Sequence, residues 1–168
     1  MANPGRSRGY HRLLVTLPAA VLLALATGCG SVPLDGAAPE QFDLNGRWVL
    51  DANRSSGTQP RGRGFIEQDF PLLVSREMHI EQDARSMGIE YDRGSYRDVT
   101  WGERRRGVWE VRAGWREGSL YIYSEAPDIS AMEVWQLSAD GDELSIQISV
   151  RGGVEGQYQR VFRRSLEI

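Results

Sequence analysis

From Trp48 to Phe162 the apolar side chains keep a period of two, and that pattern commits the chain to strands. The runs are Trp48 and Leu50; Val74, Met78 and Ile80; Met87, Ile89 and Tyr91; Val99 and Trp101; Trp109, Val111, Ala113 and Trp115; Leu120 and Ile122; Met132 and Val134; Leu144, Ile146 and Ile148; and Tyr158 and Phe162. Between them lie turn signals such as "QDARS", "DRGS", "REGS", "ADGDE" and "RGGVEG". No stretch of this region keeps a helical spacing. Evenly spaced short strands with hairpin-length links predict an up-and-down antiparallel sheet that closes to remove its edges. The expected fold is an all-β barrel of eight or nine strands over residues 43–168, a size whose interior is filled by side chains or holds one small ligand.

The first 28 residues lie outside that pattern. Arg6, Arg8 and Arg12 precede the apolar run Leu13 to Ala26, which is too short to span a bilayer and is followed by small residues. This is the organisation of a secretory signal peptide. It ends at "ATGC", and Cys29 is the only cysteine in the chain. The stretch resembles the bacterial lipobox, with Ala26 where Leu is more usual. That resemblance implies that Cys29 becomes a lipidated N-terminus carrying acyl chains such as palmitate, and that Gly30 behind it directs the protein to the periplasmic side of an outer membrane where the host has one. More than one acyl chain is enough for stable anchoring. Residues 29–42, rich in Gly, Pro and Ala, read as a flexible, lipidated tether.

Loss of Arg6, Arg8 and Arg12 with the leader takes the formal charge from −3 to about −6. A net acidic domain argues against nucleic acid. His79 is the one histidine after the leader, set between Met78 and Ile80 and therefore expected on the outer face, with no second imidazole for a triad or a metal cluster. Phosphate loops, nucleophile elbows and Cys/His ligand spacings are absent from the sequence. Neither catalysis nor a cofactor or metal is expected.

The pieces "LNGRWVLDANRS", "VWQLSADGDELSIQI" and "QRVFRRS" together resemble the lipocalin-like group of the calycin superfamily, small exported proteins with a G-x-W first strand. The resemblance implies a closed barrel with Trp48 plugging one end and an arginine of the last strand packed across it, with Arg160, Arg163 and Arg164 as candidates. The ending "RVF" is also similar to fatty-acid-binding proteins, in which an inward Arg-x-Tyr holds a carboxylate. Arg160 matches that arginine, but Phe162 replaces the tyrosine and removes a donor. The candidate ligand contacts are thus Trp48, Tyr158, Arg160 and Phe162. An arginine inside a barrel needs an anionic or aromatic partner, and for Arg160 both the Trp48 ring and a ligand carboxylate remain open.

Three features stand apart from the barrel rhythm. Residues 53–70 form a long Gly- and Arg-rich connection, read either as a lid or as plain disorder. "GERRRG" places Arg104, Arg105 and Arg106 at an expected hairpin tip that could meet lipid phosphates. If Leu120, Ile122, Met132 and Val134 are core, then Tyr121, Tyr123 and Trp135 point outward as a pairing cluster or a protein-docking surface. Two functions follow. One is a membrane-anchored barrel that binds a small apolar or amphipathic ligand at the cell envelope. The other is a protein-binding envelope lipoprotein, a hydrolase inhibitor or assembly factor, whose aromatic side chains, in a chain of five Trp and six Tyr, fill the barrel.

Overall fold

The computed structural model describes residues 34–57, 69–152 and 155–165, so Cys29 and the leader lie outside the described residues. Ten strands follow one another: β1 (Gly46–Leu50), β2 (Glu77–Gln82), β3 (Ser86–Tyr91), β4 (Tyr96–Thr100), β5 (Gly102–Arg106), β6 (Trp109–Arg116), β7 (Ser119–Ala126), β8 (Ile129–Leu137), β9 (Glu143–Arg151) and β10 (Gly156–Arg164). They form one antiparallel sheet in the order β4-β3-β2-β1-β10-β9-β8-β7-β6-β5. Pairing of β1 with β10, Trp48 opposite Arg164, joins the first strand to the last and curls the sheet into a barrel.

The strand count exceeds the expected eight or nine by one, and the extra strand is β5. Gly102–Arg106 carries no apolar side chain, and each of its residues is exposed. It pairs with β6 all the same, Arg104 opposite Val111, so the expected arginine tip is an edge strand and the turn is Gly107–Val108. An edge needs no alternation when only one side is paired, and charged side chains there discourage association with other chains. The cylinder is also not sealed. β4 and β5, consecutive in sequence, stand at the two ends of the sheet order, and the seam is crossed by the Arg104 side chain, which donates to Asp98 at 2.7 Å and to Thr100 at 2.9 Å.

One end of the barrel is closed. Gly46 adopts φ +116°, a left-handed conformation that favours glycine, and the Arg164 guanidinium passes over it. That guanidinium lies 4.4 Å from the Trp48 ring centre. It also donates to the carbonyls of Gly141 (2.8 Å), Asp43 (2.7 Å) and Asn45. Arg164 is therefore the arginine that caps Trp48, while Arg163 faces out toward Asp51. Trp48 is wholly buried and donates its indole N–H to the Leu44 carbonyl at 2.8 Å.

The second half of the expected tether is not free chain. Asp35 makes two backbone hydrogen bonds with Trp115, each 2.9 Å, and Phe42 is buried edge-on against the Trp115 ring at 4.5 Å. Gly114 makes room for this strap, since a Cβ there would come within 2.6 Å of Leu34. An apolar Phe42 beside a ring worth covering outweighs the disordering composition around it.

Candidate ligand-binding site

The opposite end of the barrel carries polar groups inside. Register places Ile129, Ala131, Glu133 and Trp135 on the inner face of β8, because Trp135 pairs with Leu120 and Glu133 with Ile122. This reverses the phase expected for that strand. Trp135 is core, Met132 is exposed, and Val134 is half-buried outside. The outward strip on β7 and β8 is thus Tyr121 opposite Val134 and Tyr123 opposite Met132, with Arg112 stacked on Tyr123 at 5.0 Å.

Glu133 is 1% exposed and meets an inward arginine from β4. Arg97 donates to one Glu133 oxygen at 2.7 Å, and the Trp135 indole donates to the other at 3.0 Å. Burial opposes the charge on Arg97, but the adjoining carboxylate more than offsets that and leaves its pKa above the usual guanidinium value. The buried Tyr91 hydroxyl lies within the field of both charges and beside the Arg97 guanidinium. Burial holds its pKa far above that of an ordinary tyrosine, with Arg97 pulling the other way.

Arg97 lines a recess of about 300 Å³ that opens beside the β4–β5 seam. Trp109, Val111 and Ser124 form its inner wall; Tyr96, Asp98, Arg106 and Gly107 form its rim; Asp69 and Pro71 reach it from the connection before β2. The described end of that long connection sits at the barrel mouth. Phe70, Leu72 and Leu73 are buried, the last two in the 3-10 turn Pro71–Leu73, and the Phe70 ring lies edge-on to Trp109 at 5.6 Å. Residues 58–68, the middle of the proposed lid, lie outside the described residues.

The four contacts offered by the sequence do not converge there. Trp48 and Phe162 are fully buried, Trp48 under its cap at the closed end, and Tyr158 is 8% exposed with Gly57 close over it. Arg160 alone of the four faces a recess, a separate one of about 520 Å³ shared with Leu50, Val74 and Arg76. Its guanidinium donates to the Ser75 carbonyl at 2.8 Å, and its Nε finds no partner among the described residues. Burial lowers its pKa, opposed by the charge of Asp92. His79 is exposed, and among the described residues no group of three His, Cys, Asp or Glu side chains converges as a metal site would require.

Glu133 escapes the sequence reading because it lies between two stronger apolar signals, and Arg97 because nothing beside it marks an inward face. Met132 and Val134 outweigh Glu133 in any apolar count, yet the longer series Ile129, Ala131, Trp135 and Leu137 already held the correct phase.

Solved structures with this architecture include human cRBP IV, at TM-score 0.52 and 18% identity over 74% of this chain and 99% of that one. Fatty-acid-binding protein 1 of Echinococcus granulosus gives 0.53 and 13% identity over 73% and 98%. The fold is a calycin-like barrel. A REP1-NXSQ fatty acid transporter shares it at TM-score 0.50 and 11% identity, over 74% and 98% of the two chains. No protein-family model matches the sequence, and no curated protein matches it. Within the calycin-like barrel the recess at the β4–β5 seam is the place where an inner charged pair, an aromatic wall and an opening come together.

Proposed function

We propose that this calycin-like barrel binds a small apolar or amphipathic molecule in the recess beside the β4–β5 seam, while held to the cell envelope by a lipid on Cys29. The observation that carries the reading is the recess itself: about 300 Å³, walled by Trp109 and Val111 and floored by Arg97. Ligand sites are concave and fixed by polar groups set among apolar ones; this recess mixes the two about equally, as suits an amphipathic molecule, and its volume stands at the small end of the usual range of about 300–1,000 Å³. The named partners of the fold, a fatty-acid-binding protein and a fatty acid transporter, support a hydrophobic ligand. Arg160 is a secondary anchor for an anionic ligand in its own recess; Arg160→Ala is expected to lower fatty-acid affinity more than stability, and unchanged lipid binding would remove that role.

Anchoring rests on the sequence: a short apolar leader, small residues, and one cysteine at their end. The outer membrane, periplasmic side, is the address where the host is Gram-negative. Native mass spectrometry after mild extraction tests the binding, with the expected outcome an acyl-sized adduct on the barrel. Palmitate-analogue labelling tests the anchor and is expected to disappear in Cys29→Ser.

A second reading, a protein-binding lipoprotein of the hydrolase-inhibitor or assembly-factor kind, draws on a different observation. Trp48, Trp115 and Trp135 are buried to 2% or less and fill much of the interior, while Tyr121, Tyr123, Val134 and Met132 share one outer strip. An empty barrel in the mass measurement would favour it.

A further inference from the structure

The charge inside the recess states what kind of headgroup it can take. We propose that Glu133, by neutralising Arg97, makes the recess accept an uncharged hydroxyl-bearing amphiphile and refuse a carboxylate. The inference rests on the proposed binding at the β4–β5 seam and specifies its ligand.

An unpaired arginine at the floor of an apolar pocket attracts an acid, because its charge cannot be given up and must be matched. Arg97 is already matched. Its partner oxygen is 2.7 Å away, and the other oxygen of Glu133 is fixed by Trp135, so the carboxylate is held from both sides and cannot swing clear. An incoming carboxylate would share Arg97 with Glu133 at short range, and two carboxylates at one site repel strongly enough to protonate or expel one of them.

The charges around the opening also cancel: Arg104 is paired to Asp98 across the seam, and the rim holds Arg106 and Asp69, one of each sign. A hydroxyl suits this floor better. It accepts from the remaining N–H groups of Arg97, which carries more donors than Glu133 uses, and Ser124 offers a further hydroxyl in the lining. A site with buried polar groups discriminates mainly by what it leaves unpaired.

The test is a competition. The purified full-length protein is equilibrated with radiolabelled decanol by dialysis at pH 8, and unlabelled decanol or decanoate is added. Decanol is expected to displace the label, while decanoate needs at least about tenfold more to do so. In Glu133→Gln the Arg97 charge is freed, and decanoate is expected to compete as well as decanol or better.

Decanoate competing equally in the wild type overturns the selectivity and leaves the binding reading standing. Label that never binds overturns the binding reading itself. If Glu133→Gln does not fold, the wild-type ratio decides alone. The pair Arg97→Met with Glu133→Leu supplies a second check: it removes both charges and should gain no decanoate binding, and a gain would show that freed arginine is not the cause.

Discussion

The two ends of the barrel solve the same problem, an arginine laid against the core, in opposite ways. At the closed end Arg164 lies across the Trp48 ring and gives its N–H groups to the carbonyls of Gly141, Asp43 and Asn45. Every interaction there is with a neutral group, an aromatic ring or a backbone carbonyl. At the open end Arg97 is matched by a carboxylate on a strand across the barrel, with the buried Tyr91 hydroxyl beside it. The first arrangement shuts an end and asks nothing of a ligand. The second keeps charge inside a pocket that reaches solvent. Structure is concentrated at one end and chemistry at the other.

Substitutions can break this division. The largest effect is expected for Trp48→Ala, which empties the closed end and should cost about 4 kcal/mol in urea unfolding, as large core truncations do. Decanol affinity should stay within about twofold wherever the variant remains folded. A large loss of affinity at intact fold would mean that the ends are not separate. Glu133→Ala is next: it leaves the Arg97 charge buried and unpaired, at an expected cost of about 3 kcal/mol. Here ligand selectivity should change with stability, which distinguishes the open end from the closed one.

Arg164→Ala should cost about 2 kcal/mol, combining a lost ring contact with hydrogen bonds to carbonyls. Its unfolding free energy should fall without any change in decanol or decanoate binding. The smallest effect belongs to the turn between β2 and β3, where Asp83 accepts from the backbone N–H groups of Arg85 and Ser86, each at 2.7 Å. Those bonds hold its pKa below the ordinary 3.8. With the folded value depressed, the stability it lends is present above the unfolded pKa and is lost as pH falls through the lower folded one. Asp83→Asn should therefore flatten the acid limb of a stability-versus-pH curve and leave neutral pH nearly unchanged.

How much of this was legible in the sequence follows the same division. The closed end announced itself, because the spacing of Gly46 and Trp48 and an arginine cluster on the last strand are local in sequence, and only the choice of Arg164 needed coordinates. Alternation located nine of ten strands, and β5 escaped because an exposed edge strand of Gly, Glu and Arg has no face to mark. The open end was misread. Glu133 sits between Met132 and Val134, so local hydrophobicity favoured the wrong phase, and Trp135 was turned outward with it. Arg97 and Glu133 are separated by 36 positions, and nothing local to either announces the other. Long-range partnership, rather than composition, is what one chain read alone conceals. Phe42 illustrates the converse, a single aromatic that docks a stretch whose average composition suggests a free linker.

The seam between β4 and β5 gives this barrel a weak tooth in its zipper. Elsewhere neighbouring strands are held by backbone ladders, but across the seam the grip comes from the Arg104 side chain on Asp98 and Thr100, all three at the surface. Exposed ion pairs are worth about 0–1 kcal/mol, and ions in physiological saline damp charges beyond about 8 Å. Opening of the seam is thereby expected to answer to ionic strength: brine should loosen the clasp and fresh water tighten it, with little change in the stability of the barrel as a whole.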